Sequence, residues 1–470
     1  MATNLYKLGM VGLGVMGRSL VLNMADHGFP IAGYDKDAAK GSDLLKEGAG
    51  KPVGFAATPA EFVAMLEKPR AIMLLVAPAK VVGFVLDDLL PLLDKDDLVI
   101  DAGNSYFKDT DARFERCAEK GVHFFGMGVS GGESGARHGP SMMPGGDRPS
   151  YERVRPILES VAAKVGGEPC VAWVGNKSAG HYVKMVHNGI EYGIMQMIAE
   201  TYDILHRGLG LSNDELAATF DAWNKSELNS FLVEITARIF KMDDDKEPGR
   251  LVDRIKDAAR QKGTGKWTSQ DALDLTVPVP TIDMAVMGRN ISGMTAERSA
   301  VAKALGEDVA VFAGDRKGFI EQAKSGLFLA TVASYAQGLD LLKHASEAYG
   351  YGIQLAEVAK IWRGGCIIRS TFLEDIRAAY TGNPALPNLL ADPKVAAKAK
   401  AALPGLKWTL RNAIDMGVPC PSLMASLAYI DSLRCGPLPT NLIQAQRDFF
   451  GAHTYERTDA AGTFHTKWEE

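Results

Sequence analysis

The strongest constraint on the fold lies near the start of the chain. Tyr6 to Gly12 reads as a short buried strand that ends in Gly12-Leu13-Gly14-Val15-Met16-Gly17. Arg18 to His27 then has the pattern of a helix, and Phe29 to Tyr34 that of a second strand closing on Asp35. This is G-x-G-x-x-G between strand and helix, with an acid about 20 residues further on. The glycines permit a tight turn and let backbone N–H groups approach a pyrophosphate at the helix N-terminus. The arrangement points to a bound dinucleotide; the same turn would also serve a fold that binds nothing. A carboxylate at Asp35 can accept hydrogen bonds from a ribose 2′-OH and would repel a 2′-phosphate, while Lys36 pulls the other way. The balance favours NAD, with NADP possible.

Strand patterns recur at Ala71 to Val76, Leu98 to Ala102, Val122 to Gly126 and, as a last one, Val171 to Gly175, with helical stretches between. Repeated βα units imply a parallel, doubly wound sheet. Asn104 follows a strand end, where ligands of such sheets bind, and is either a ligand contact or a turn residue. Gly126 to Gly146 holds so many glycines that neither a packed strand nor a helix is expected there. A loop whose backbone nears a ligand, with Ser130 offering a hydroxyl, fits; so does a merely flexible loop.

From about Ser178 to Arg434 the pattern turns almost wholly helical. In the apolar stretch that opens this region, Lys184, His187, Asn188 and Glu191 fall at i, i+3, i+4 and i+7, on one helix face. Lys184 and Glu191 are then roughly 10 Å apart along the axis, too far for a local ion pair. That distance suits a small polar molecule lying along the helix. In a closed site, desolvation would lower the lysine pKa and raise the glutamate pKa, giving a neutral base and a protonated acid. A solvated face is the alternative.

The segments Glu215 to Ile235 and Ala356 to Ile376 look alike, which suggests an internal helical duplication. Between them, Gln261 to Thr268 forms a Gly-rich interruption from which Lys266 could reach an anion, although it is not a phosphate loop of the G-x-x-x-x-G-K-[ST] kind. After Gly436-Pro437 comes a tail whose aromatics hint at docking onto another surface. The expected architecture is therefore a Rossmann-type α/β domain over 1–178, an all-helical domain over 179–436 and a C-terminal tail over 437–470.

A formal net charge of −5 argues against a general nucleic-acid binder, so an anionic substrate would need a local basic cluster. Five scattered cysteines show no CxxC or Cys/His metal spacing, so no metal is expected, and reduced thiols in a cytoplasmic protein are the default. The start of the chain lacks the charged and apolar regions of a signal peptide. The richest apolar run, Ala71 to Leu93, is broken by prolines and charges, so no membrane span is expected.

Several stretches together carry a resemblance to the 6-phosphogluconate dehydrogenase family, nearly end to end. They are Val129 to Glu133, Lys184 to Tyr192, Gly263 to Thr268, Gln444 to Asp448 and Phe450 to Tyr455. The resemblance implies that Lys184 takes the C3 hydroxyl proton of 6-phosphogluconate as hydride leaves for the nicotinamide. Lys184 then donates to the C3 carbonyl oxygen as CO₂ departs, and Glu191 protonates C1 of the enediol. It further implies that Ser130, Gly131, Gly132, His187 and Asn188 bind the sugar and carboxylate, and that Tyr192, Lys266 and Arg289 bind the phosphate. Arg447 and His453 would reach that phosphate from a partner subunit, making a homodimer with exchanged tails. The expected cofactor contacts are Gly12, Leu13, Gly14, Val15, Met16, Gly17, Asp35, Lys36, Val76, Ala77, Pro78 and Asn104, with Asn104 expected to touch the substrate as well. Three departures stand out. Asp35-Lys36-Asp37 replaces the Asn-Arg-Thr of the family's NADP enzymes. Val76-Ala77-Pro78-Ala79 lacks a cofactor-side lysine. Gly14 replaces a frequent alanine.

Two rival readings make distinct demands. A related dehydrogenase of a small unphosphorylated acid would need no Arg289, Arg447 or His453. A silent dinucleotide-binding regulator would have lost Lys184 or Glu191.

Overall fold

The computed structural model describes residues 5–77 and 80–468. Its N-terminal part is a seven-stranded sheet. The strands are β1 (Leu8–Val11), β2 (Ile31–Tyr34), β3 (Val53–Ala56), β4 (Ala71–Leu74), β5 (Leu98–Asp101), β6 (His123–Ser130) and β7 (Ser141–Pro144), in the order 3-2-1-4-5-6-7. β1 to β6 are parallel, while β7 runs antiparallel to β6. The intervening helices are α1 (Val15–Asp26), α2 (Ala38–Glu47), α3 (Pro59–Ala64), α4 (Val81–Leu89), α5 (Phe107–Ala118), α6 (Gly132–His138) and α7 (Arg148–Val161). Apolar clusters cover both faces of the sheet. β1, β2, β4 and β5 are buried throughout, which is why they read as apolar runs. β3, alternately half-buried and buried, was not foreseen.

Two expectations need correction. Gly126 to Gly146 is not a loop: β6 continues through Ser130, α6 follows, and β7 pairs back along β6. The glycines are there because a helix lies against the strand. A Cβ on Gly128 would stand 2.4 Å from Lys184 Cβ, and one on Gly126 2.5 Å from His181 Nδ1. Nor is Val171 to Gly175 a strand. Only Val171 forms a bridge, to Met142, and Gly175 at φ +148° turns the chain toward the helical region.

That region begins with α8 (Ala179–Asp203), buried along most of its length. After it come α9 (Asn213–Trp223), α10 (Phe231–Ile239), α11 (Thr264–Asp274), α12 (Pro280–Gly293), α13 (Thr295–Leu305), α14 (Arg316–Tyr349), α15 (Leu355–Trp362), α16 (Phe372–Gly382), α17 (Pro393–Met416) and α18 (Pro421–Leu433). Glycines on or against α8 allow close approach on several sides. A Cβ on Gly180 would meet Gly126 O at 2.3 Å, one on Gly189 Thr268 Cγ2 at 2.7 Å, and one on Gly193 Ser334 Oγ at 2.6 Å. α8 is thus wedged between β6, α11 and α14, and its polar face cannot turn to solvent.

The two look-alike segments meet directly. Ser230 bridges Ser370, with Phe231 N donating to Arg369 O at 3.0 Å and Thr371 N to Asn229 O at 3.1 Å. The tail forms α19 (Thr440–Gly451) and a small hairpin, Tyr455–Glu456 with Thr463–Phe464. Its Leu442, Ile443, Phe449 and Phe450 are exposed. Among the described residues no helix is long and apolar enough to cross a membrane.

Candidate active site

A cleft of about 700 Å³ opens at the C-terminal ends of β1, β2, β4 and β5. It is lined by Gly12, Gly14, Val15, Met16, Gly17, Asp35, Lys36, Val76, Ala77 and Asn104, all anticipated from the sequence. Pro78 lies outside the described residues. Leu13 is placed differently: its side chain is fully buried and its N–H donates to Asp35 Oδ2 at 2.8 Å. It ties the turn to β2 and lends no surface to the cleft.

The cleft fits a dinucleotide on structural grounds. A Cβ on Gly14 would meet nothing within 4 Å, whereas one on Gly17 would strike Gly12 O at 1.9 Å. One glycine leaves open space for a ligand and the other closes the turn. α1 has no side-chain cap and no acid in its first turn, so its N-terminal N–H groups and dipole stay available to a phosphate. Asp35 Oδ1 accepts from Asp37 N at 2.9 Å, and Lys40 Nζ stands 3.4 Å away. Lys36 pairs with Asp88 at 3.1 Å.

The second half of the site lies on α8. Lys184 is only 6% exposed, its stem pressed on Gly128 of β6. Burial lowers its pKa, partly opposed by the charge of Glu191. Burial raises the pKa of Glu191, opposed by Lys184 and Arg289. Desolvation thus dominates in both groups and drives each toward its neutral form.

His187, fully buried between them, is kept neutral first by burial and then by Lys184. Its Nδ1–H donates to Asn188 Oδ1 at 3.0 Å, which leaves Nε2 to accept from the Ser130 hydroxyl at 3.4 Å. Asn188 Nδ2 donates in turn to Thr264 Oγ1 at 3.1 Å. This network joins β6, α8 and α11 and fixes which polar atoms face inward. Gly131 adopts φ +109° and Gly132 φ +62°, and a Cβ on Gly131 would strike Gly365 O at 2.5 Å.

The Arg289 guanidinium lies over the Tyr192 ring, 3.4 Å from its centre, and donates to Arg260 O at 3.1 Å. Burial lowers its pKa. It forms a cationic end to the Lys184–Glu191 face.

The structure therefore brings together Ser130, Gly131, Lys184, His187, Asn188, Glu191, Tyr192 and Arg289. Lys266 is exposed on the first turn of α11, whose Thr264 accepts from Asn188 and whose Gly265 would set a Cβ 2.4 Å from the Tyr192 ring, so it borders the site. Lys262, also exposed, lines the dinucleotide cleft and was not anticipated. Sequence reading also passed over Trp362 and Cys366. The Trp362 ring packs edge-on against His187, 5.6 Å between centres, and Cys366 donates to Trp362 O. The Cys366 thiol, pushed up to about 12 by burial, adds no charge beside Lys184. Arg447 and His453 stay in the tail, where Arg447 donates to Gln444 Oε1 at 3.0 Å and His453 packs on Phe450.

Comparison with known proteins agrees with both halves. Residues 7–175 match the NAD binding domain of 6-phosphogluconate dehydrogenase, and residues 180–468 match its C-terminal domain. The NADP(+)-dependent, decarboxylating 6-phosphogluconate dehydrogenase of Bacillus subtilis (strain 168) is 50% identical, over 98% of this chain and 99% of its own. A chloroplastic decarboxylating enzyme of Spinacia oleracea is 46% identical, over 99% of this chain and 88% of its own. The solved 6-phosphogluconate dehydrogenase of Plasmodium falciparum, studied apo, with NADP+ and with 6-phosphogluconate, superposes with a TM-score of 0.95. It is 41% identical and covers 98% of this chain and 100% of its own. With the glycine turn, the cleft and the polar face of α8 in place, and with matches spanning both halves, this chain belongs to the 6-phosphogluconate dehydrogenase family.

Proposed function

We propose that the protein oxidatively decarboxylates 6-phospho-D-gluconate to D-ribulose 5-phosphate and CO₂, using NAD+ in preference to NADP+. One observation carries the reading: a lysine and a glutamate, two turns apart on one buried helix face, are both pushed toward their neutral forms by desolvation.

Neutral Lys184 removes the C3 hydroxyl proton. A nicotinamide held in the cleft supplies the hydride acceptor. The resulting 3-keto acid loses its carboxylate as CO₂, with protonated Lys184 donating to the C3 oxygen so that no free enolate forms. Glu191 then protonates C1 of the enediol while Lys184 takes back the hydroxyl proton. The β-keto group is the electron sink. Ser130, His187 and Asn188 orient the sugar, and Arg289 with Tyr192 receives the phosphate. Lys266, next to the Gly265 that packs on Tyr192, is the further cation for that phosphate, and Lys262 borders the dinucleotide cleft.

The cofactor preference rests on Asp35. Its carboxylate lines the cleft after β2, with Lys40 paired to it and Lys36 paired to Asp88 on the exposed rim. A 2′-phosphate would meet the Asp35 charge at close range, offset in part by these exposed lysines, whereas a ribose 2′-OH would donate to it. The proposed domain limits are 1–178, 179–436 and 437–470, the tail docking on a second copy as its exposed apolar side chains suggest.

Lys184→Ala tests the mechanism: turnover of 6-phosphogluconate should vanish while dinucleotide binding, followed by fluorescence, persists. Wild-type-like turnover would remove Lys184 from the mechanism.

A further inference from the structure

The tail holds a buried carboxylate that the chemistry above does not use. The Asp448 side chain is 0% exposed although α19 is otherwise largely solvent-facing. Its Oδ1 accepts from Thr454 N at 2.9 Å and from the His465 ring at 2.9 Å. Its Oδ2 accepts from Thr466 N at 3.0 Å and from Trp468 Nε1 at 2.9 Å. One carboxylate thus gathers the end of α19, the turn after it and the strand end that closes the tail. These donors hold the Asp448 carboxyl well below the usual carboxylate range.

The gathered segment is the one that bears Arg447 and His453. Thr454, next to His453, is held at both backbone groups: its N–H by Asp448 and its C=O by Gln444 Nε2 at 2.6 Å. Gln444 Oε1 also accepts from Arg447 Nη1 at 3.0 Å. Ala452 and Thr454 flank His453 at φ +48° and +60°, conformations that need outside support in non-glycine residues. A Cβ on Gly451 would stand 2.7 Å from the His453 ring, so the glycine makes room for it. The backbone that carries the arginine and the histidine is therefore ordered within the tail itself.

We propose that Asp448, assisted by Gln444, is the positioning residue that pre-organises Arg447 and His453 as a paired donor set for the substrate's phosphate. Asp448 touches no substrate. It removes the ordering cost that a loose tail would bear at the moment of binding. The inference rests on the proposed function, in which these two side chains enter a second copy's site.

The test is Asp448→Asn in the full-length protein, which keeps the shape but places N–H groups against the existing donors. The substrates are 6-phosphogluconate and unphosphorylated gluconate. KM for 6-phosphogluconate should rise about tenfold or more, the loss expected for charge-assisted hydrogen bonds. Its kcat, and kcat/KM for gluconate, should stay near wild type. His465→Ala, which removes that donor alone, should move the same KM in the same direction and covers the case in which Asp448→Asn does not fold. An unchanged KM for 6-phosphogluconate in folded variants, or an equal loss on both substrates, overturns the proposal. A wild-type protein inactive on 6-phosphogluconate would instead defeat the function on which it rests.

Discussion

Gly128→Ala isolates the contact on which the placement of Lys184 depends. The added methyl would lie 2.4 Å from Lys184 Cβ, 2.9 Å from its Cγ and 3.1 Å from Gly180 O, where ordinary contact begins at 3.4 Å. The first contact is short by about 1 Å, and the atom met is the root of the side chain, which cannot swing aside as a flexible tip could. Either α8 backs away from β6 or the strand bends. Overpacking of this kind costs about 1–3 kcal/mol. A catalytic group displaced by about 1 Å costs on the order of a hundredfold in rate. Thermal unfolding and steady-state turnover of 6-phosphogluconate, read from the absorbance of the reduced nicotinamide, should show a modest loss of stability and a much larger loss of kcat. Gly14→Ala is the control: its Cβ would meet nothing within 4 Å, so stability should hold. Wild-type kcat and Tm in Gly128→Ala would refute the claim that the strand glycine sets the position of the lysine.

Two further outcomes can be checked. Glu191→Gln removes the carboxyl that protonates C1 while keeping its shape. Because Glu191 is protonated and uncharged where Lys184 titrates, the acid limb of kcat/KM should stay in place, and because glutamine does not titrate, the alkaline limb assigned to Glu191 should disappear from the reduced residual activity; a profile identical to wild type would release Glu191 from its role. NAD+ should give a higher kcat/KM than NADP+, and Asp35→Asn should narrow the gap; a clear NADP+ preference in the wild type would defeat the charge argument at Asp35.

Much of this was legible in the chain itself. The glycine turn, the acid after the second strand, the parallel alternation and the switch to helices all depend on local spacing, and local sterics enforce them. The i, i+3, i+4, i+7 face of α8 is likewise a property of helix geometry alone. Tertiary packing decided the rest. Glycine between 126 and 146 looked like a loop because sequence shows the missing side chain but not the helix that fills its place. Lys262 and Lys266 share one short stretch, and only the packing of α11 on α8 shows that Lys262 borders the dinucleotide cleft while the turn carrying Lys266 meets Asn188 and Tyr192. Ionisation was decided in three dimensions too: spacing could align Lys184 with Glu191, but only wedging α8 between sheet and helices removes the water that would otherwise keep both charged.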